Sequence, residues 1–191
     1  MTTVAFIRHG PTGWNAEGRL QGRADTPLND AGRAMVASWR MPAEIAGFAV
    51  LASPLRRARE TAAILGHRAP DIDDRLVERD WGDWSGRLRA DCQPDIDTMG
   101  ADMAPPGGES AAAVAARVAA VLADITASGA PRLIVAHRGI IRAAYALATG
   151  WDMRGAPPAK LSRKAAHLFA LAADGTPSVL RLNLRLDRGG A

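Results

Sequence analysis

The sequence predicts an α/β fold: three layers, with a largely parallel central sheet flanked by helices and a short lid insert at about residues 80–108. Three observations predict it. Short, mostly apolar runs at Val4–Ile7, Phe48–Ala52 and Arg132–Ala136 lack polar alternation, as in strands buried on both faces. Segments of helical period lie between them, most clearly Ser110–Ser128. Two of the runs end in matching polar triplets, Arg8-His9-Gly10 and His137-Arg138-Gly139. Parallel sheets bind ligands outside such strand ends.

The elements follow in order. Val4–Ile7 is the first strand, and a loop rich in Gly, Pro, Asn and Asp runs to about Asp30. Asn29 or Asp30 can cap a helix over 31–40. After the strand Phe48–Ala52, Ser53-Pro54 reads as an N-cap with proline at the first helical position. That helix runs to Leu65 and stops at Gly66, with Leu55, Ala58, Ala62 and Leu65 on its buried face. Asp73–Arg79 is a third candidate strand. Residues 80–108, with Trp81, Trp84 and Pro94, read as a long irregular region of lid type. Val114, Val118, Val121, Leu122 and Ile125 make Ser110–Ser128 a core-packing helix. A helix over Ile140–Ala148 follows the strand Arg132–Ala136. Ala165–Ala172 and Ser178–Leu184 flank the turn signal Asp174-Gly175 and form a terminal hairpin.

The chain has 191 residues, 48% hydrophobic and 23% charged, which suits one domain over 1–191. Cys92 is the sole cysteine, so an intramolecular disulfide is excluded and a reducing, cytoplasmic setting is expected. No signal peptide is expected, and no run approaches the length of a membrane span, so no membrane partner is expected. The net charge of +4 fits either an arginine-rich surface or an anionic substrate. Nucleic acid is disfavoured: the arginines are scattered, and one Tyr and three Phe leave few stacking platforms. The sequence carries no signal of oligomeric state.

If the two strands ending in His9 and His137 are neighbours, both imidazoles meet in one crevice. Either alone is more often a satisfied structural histidine; the matched pair is what points to a site. Arg56 and Arg57 sit in a first helical turn, the wrong end for the macrodipole, unless a bound anion shares the place. Glu78 matters only as the missing acid or base of the same crevice.

This constellation resembles the histidine phosphatase superfamily, the phosphoglycerate mutase-like group. Arg8-His9-Gly10 with Thr12 and Asn15 looks like its signature. Further blocks follow in family order: Gln21-Gly22-Arg23 with Asp25, Pro27, Leu28 and Gly32; Ser53-Pro54-Leu55-Arg56-Arg57-Ala58 with Thr61; and Leu76, Glu78, Asp80, Gly82, Trp84 and Gly86. Pro106-Gly107-Gly108-Glu109-Ser110 and Val135-Ala136-His137 through Ile141-Arg142 complete the set, spanning most of residues 3–145.

The resemblance implies a metal-independent phosphomonoester hydrolase with no cofactor, acting on a small phosphorylated metabolite. It makes His9 the phosphate-accepting nucleophile, places Arg8, Arg57 and His137 around the phosphoryl group, and makes Glu78 the proton donor and later the base. Asn15, Gln21, Gly22 and Arg138 are the candidate substrate-binding residues. The fork geometry of two guanidinium groups suits a phosphoryl group whose charge is spread over three oxygens. Two positions depart from the family. Pro11 stands where glutamate is frequent, and Arg138 stands where a glycine is common after the second histidine. Arg138 either reaches the substrate or points to solvent, and the solvent orientation is expected. The short lid favours hydrolysis over phosphoglycerate mutase-type transfer. A non-catalytic phosphoanion-binding protein is the remaining alternative, against which every functional position is retained. No His, Cys and carboxylate spacing of a metal site occurs in the sequence.

Overall fold

A computed structural model describes residues 1–186. The predicted domain's last five positions, 187–191, lie outside the described residues. The chain runs β1 (Thr2–Arg8), α1 (Gly13–Ala16), α2 (Asp30–Ala37), β2 (Ala49–Ala52), α3 (Arg56–Ile64), β3 (Asp71–Ile72), α4 (Arg89–Thr98), α5 (Ala111–Ser128), β4 (Arg132–Ala136), α6 (Arg138–Thr149), β5 (Ala165–Leu171) and β6 (Pro177–Arg185). Single 3-10 turns occupy Asp74–Leu76 and Gly82–Trp84.

The strands form one sheet in the order β3-β2-β4-β1-β5-β6. The pairs β2·β3, β2·β4 and β1·β4 are parallel, while β5 and β6 add an antiparallel margin. The predicted α/β class and mostly parallel sheet hold. β1 lies centrally, and Val4, Ala5, Phe6 and Ile7 are wholly buried, which is why that run lacks polar alternation. Val4 and Phe6 pack with α5 and α6 on one face; Ala5 and Ile7 pack with Val36 of α2 and Ala58 and Ala62 of α3 on the other. Each large apolar side chain so buried contributes about 1.5–3 kcal/mol.

The helix ends follow local chemistry with some shifts. Asn29 caps α2 through Oδ1, which accepts from the Gly32 N–H at 2.7 Å, but the helix stops at Ala37. Ser110 caps α5 by accepting from Ala113, and Gly129 ends it with φ of +67°. Ser53 does not cap α3. Leu55 holds that position, because the Ser53 hydroxyl is engaged with His137.

Three sequence expectations need correction. Asp73–Arg79 is not a strand: only Asp71–Ile72 pairs with β2, and Asp73 then accepts from the Arg75 N–H to turn the chain into a 3-10 turn. Residues 80–108 are not wholly irregular, since α4 lies within them. It buries only Cys92 and contains Pro94, so it shows no apolar stripe in the sequence. Finally, α5 is long and apolar enough to cross a membrane by length and composition. Its valines, Leu122 and Ile125 are instead buried in the core against the sheet and α6.

Candidate active site

The site follows from strand register. Arg8 of β1 pairs with Ala136 of β4, so the next residues, His9 and His137, emerge side by side. The His9 N–H also donates to the Ala136 carbonyl at 2.9 Å. The imidazole centroids are 5.2 Å apart and their planes are inclined by 56°. Ala52 pairs with Val135, which brings Ser53 to the same sheet end.

His9 is 3% exposed and lines an open cleft. Its Nδ1 lies 2.6 Å from the Gly10 carbonyl oxygen. A carbonyl can only accept, so Nδ1 carries the proton and neutral His9 keeps its lone pair on Nε2. Burial, then Arg8 and Arg57, holds the His9 pKa well below the usual histidine value. The nitrogen a nucleophile needs is therefore unprotonated near neutrality.

His137 is fully buried and does not itself line the cleft, but packs against the His9 ring. Its Nε2 lies 2.7 Å from Ser53 Oγ, while its Nδ1 has no partner. Ser53 Oγ also accepts from the Leu55 N–H. If the hydroxyl gives its own proton to Nε2, Nδ1–H becomes a free donor beside His9. Burial, then Arg57, keeps His137 neutral by depressing its pKa well below the usual value.

Arg57 is 1% exposed and lines the cleft floor. Its Nη1 and Nη2 donate to the carbonyls of Ala24 and Gly22, which fixes the guanidinium and leaves Nε unpartnered. Arg8 Nε is likewise buried without a partner. Thr61 ties the two elements together: its Oγ1 accepts from the Gly10 N–H and donates to the Arg57 carbonyl. Arg56 points away, exposed, and pairs with Glu60 at 2.6 Å.

Glu78 sits opposite, in the cleft wall. Oε1 accepts from the N–H groups of Arg79 and Gly139, and Oε2 accepts from Gly139 as well. The carboxyl group thus rests on the first turn of α6, where peptide N–H groups are free. This close approach requires glycine: a Cβ at Gly139 would stand 2.2 Å from Glu78 Oε1.

The loop after β1 supplies amides. Asn15 and Thr12 form a reciprocal capping box, which leaves the Asn15 NH₂ for the cleft. Gln21 Oε1 accepts from the Thr12 and Thr26 hydroxyls, so its NH₂ is the end left for the cleft. Gly22 turns at φ of +53°, with its carbonyl on Arg57. All three predicted loop residues line the cleft. Arg138 is exposed, as expected, yet that exposed side chain borders the cleft, so it is available to a ligand.

Sequence reasoning passed over three contributors. Ser53 carries the sequence pattern of a helix cap, although its place after a strand neighbouring β4 signals a partner for His137. Arg89 and Arg163 line the cleft from α4 and from the segment before β5, and no motif marks them. Of the tryptophans, Trp81 lines the cleft, whereas Trp84 stacks on it from the core side with centroids 6.3 Å apart. Glu109 is a clasp: it takes a fork from Arg117 and binds the Asp80 N–H, fixing the segment that carries Glu78.

The sheet and the site define an α/β protein with an anion-binding crevice in which a neutral imidazole faces guanidinium groups and a carboxyl group. The profile of the histidine phosphatase superfamily (branch 1) matches residues 4–185, and the chain belongs to that family. The glucosyl-3-phosphoglycerate phosphatase of Mycobacterium tuberculosis is 38% identical over 165 residues, covering 73% of this chain and 72% of that one. A metal-independent phosphoserine phosphatase of Arabidopsis thaliana is 31% identical over 161 residues, covering 76% and 68%. Among solved structures, a mycobacterial glucosyl-3-phosphoglycerate phosphatase in complex with VO3 superposes with a TM-score of 0.78 at 29% identity, covering 98% of this chain and 100% of that one.

Proposed function

We propose that the chain hydrolyses phosphomonoesters of small metabolites through a phosphohistidine on His9. The observation that supports this most directly is the His9 ring: its Nδ1–H is held by the Gly10 carbonyl, and its pKa is depressed by burial, Arg8 and Arg57. A structural histidine has no need of an Nε2 lone pair kept free among guanidinium groups. The orphaned Nε atoms of Arg8 and Arg57 and Nδ1 of His137 supply donors that a tetrahedral anion would satisfy.

Nε2 attacks phosphorus as the ester P–O bond breaks. Glu78 passes a proton to the leaving oxygen. The alcohol departs, and the Glu78 carboxylate takes a proton from a water that attacks the phosphohistidine. The P–N bond breaks, releasing inorganic phosphate and neutral His9. The scheme needs no metal. The names of the two phosphatase relatives support hydrolysis over mutase-type transfer, as does the short segment between Glu78 and Glu109.

Acid-labile, base-stable radiolabel on the chain after rapid quenching of a labelled aryl phosphate tests the reading. Label in the unaltered chain and neither label nor turnover in His9→Ala is expected. Ordinary turnover in His9→Ala refutes the assignment.

A further inference from the structure

Asn183 and His167 lie outside the cleft, yet both are committed to one segment that reaches it. Ala166 pairs with Leu184 and Leu168 pairs with Arg181, so between these pairs β5 has one residue and β6 has two. This is a β-bulge, with Leu182 and Asn183 opposite His167. Asn183 takes a left-handed φ of +58°, which asparagine tolerates better than most residues. Its amide lies on the irregular segment 160–162. There Oδ1 accepts from the Ser162 N–H at 2.7 Å, and Nδ2 donates to the Lys160 carbonyl at 2.7 Å. The side chain serves as the strand partner that this segment otherwise lacks.

His167 secures the same residue from β5, and it is 1% exposed. The Asn183 N–H meets its Nδ1 at 3.4 Å, so Nδ1 accepts and Nε2 carries the proton. Nε2 then donates to the Ser162 carbonyl at 3.2 Å. Side chains of the hairpin thus hold both backbone groups of Ser162. Two residues on, the Lys164 carbonyl accepts from the Leu186 N–H. Arg163 stands between these anchors. It is an exposed turn residue whose side chain lines the cleft with Arg8, His9 and Arg57. Among the described residues no Asp or Glu forms an ion pair with it. An unpaired exposed arginine has many rotamers open to it, so a fixed backbone is what keeps its guanidinium near the cleft. Its charge is felt inside. Burial, then Arg163, depresses the Arg8 pKa to about 9, and at His9 Arg163 adds to the lowering by burial, Arg8 and Arg57.

We infer that Asn183 and His167 are positioning residues for the phosphatase reaction: they hold Ser162 so that the Arg163 guanidinium stays in the cleft as a further cation for the transferred phosphoryl group. The inference rests on the phosphomonoesterase reading. It gives the bulge of the terminal hairpin a task in the reaction, because the flanking pairs close that hairpin without either side chain. The effect falls on the phosphoryl end of the substrate, so it is felt whatever the alcohol.

Propyl phosphate and phenyl phosphate, whose alcohol portions are uncharged, test it in the intact chain, together with calorimetric titration of inorganic phosphate. Arg163→Ala is expected to lower kcat/KM about tenfold on both esters and to weaken phosphate binding similarly. Asn183→Gly removes the amide and leaves the left-handed backbone unstrained, and a several-fold loss in both readouts is expected. In the Arg163→Ala background the same change is expected to cost nothing more, because Asn183 acts through Arg163. The amide of His167→Asn is too short to reach the Ser162 carbonyl, so a several-fold loss is expected. His167→Gln, whose Nε2 reaches that carbonyl, is expected to recover most of it. The His167 pair carries the test should Asn183→Gly not fold. Full activity and phosphate affinity in Arg163→Ala or in Asn183→Gly overturns the inference. So does an undiminished effect of Asn183→Gly in the Arg163→Ala background, or His167→Gln no better than His167→Asn. Each of these leaves the phosphatase reading standing. If the unaltered chain hydrolyses neither ester, the phosphatase reading falls and the phosphate titrations decide alone: the same pattern of weakened binding upholds the hold on Arg163, and unchanged binding overturns it.

Discussion

Gly139→Ala separates the role of Glu78 from the stability of the fold. The new Cβ would stand 2.2 Å from Glu78 Oε1 and 3.2 Å from its carboxyl carbon. An ordinary contact needs about 3.4 Å, so the carboxyl group must retreat by about 1 Å, and a misplacement of that size costs on the order of 10²-fold in rate. The retreat also loosens the bonds from the Gly139 N–H to both carboxyl oxygens. The clash is with the end of a flexible side chain, so folding survives. Gly139 is the second residue of α6, where alanine is favoured over glycine by up to about 1 kcal/mol. The variant is therefore expected to melt no lower than the parent while losing proton transfer. Its kcat/KM for an alkyl phosphate, whose leaving oxygen needs a proton, is expected to fall about 10²-fold. For 4-nitrophenyl phosphate, whose leaving group departs as an anion, the fall is expected to stay below about tenfold. Using kcat/KM confines the comparison to steps up to alcohol release, so the later water attack drops out. Equal losses on both esters, or none on either, would refute the reasoning that Glu78 is the proton donor.

Three further expectations use the same geometry. Arg57→Ala is expected to cost about 10²–10³-fold in kcat by removing a buried donor of the site, whereas exposed Arg56→Ala, which breaks only the pair with Glu60, is expected to stay within about twofold; similar losses in a steady-state assay would mean the wrong arginine has been placed at the phosphate. Ser53→Ala leaves the buried Nε2 of His137 without its partner, a cost of about 1–3 kcal/mol, so calorimetry is expected to show a Tm lower by several degrees together with a reduced kcat; an unchanged Tm and kcat would exclude Ser53 as the residue that orients His137. Finally, His9, His137 and His167 all have depressed pKa values in the folded chain, chiefly through burial. Below about pH 6.5 the unfolded chain binds protons that the folded chain refuses, so stability is full above that pH and falls as pH drops toward the folded values, by up to about 1.4 kcal/mol per pH unit for each histidine. Urea titrations from pH 7.5 to 5 are expected to show this slope flattened by one histidine's share in His167→Asn, and an equal slope in that variant would assign the loss elsewhere.

What the sequence made legible was whatever a local rule governs. The apolar run Val4–Ile7, the Asn29 and Ser110 caps and the turn at Asp174-Gly175 each rest on a few adjacent residues. The structure places them as those rules require. The meeting of His9 with His137 was legible as a condition, that the two runs with matching ends be neighbours, and the parallel pairing of β1 with β4 meets it. What escaped depends on partners distant in sequence. Ser53 carries the mark of an N-cap, but β2 ends beside β4 and its hydroxyl goes to an imidazole 84 positions away. The brevity of β3 is set by the four-residue length of β2 and by the Asp73 turn. Helix α4 buries a single residue, so it left no periodic trace. Arg163, just before an antiparallel margin strand, belongs to the site only because β5 pairs with β1 and carries that segment alongside Arg8.

The same packing explains why the site is poised rather than merely assembled. Backbone carbonyls of Gly22 and Ala24 hold Arg57 by its outer nitrogens, Thr61 locks the Arg57 carbonyl to Gly10, and Gly10 holds the His9 ring. Each link is a short hydrogen bond to the frame, so the donors that face the anion are fixed before it arrives, and reorganisation is not added to the barrier. The opposing cost is electrostatic: buried guanidinium groups and two neutral imidazoles crowd one sheet end, and among the described residues Glu78 is the one acid lining the cleft. Burial, with that repulsion added to it, keeps His9 deprotonated, and an anion is the group that relieves the repulsion. The proposed mechanism requires His9 to be free of a proton while phosphate is bound, and in it the arginines serve both demands at once. Replacing them by neutral residues would remove the charge repulsion that adds to burial at His9 as the anion loses its donors, so the two losses are coupled and cannot be recovered by raising substrate concentration alone.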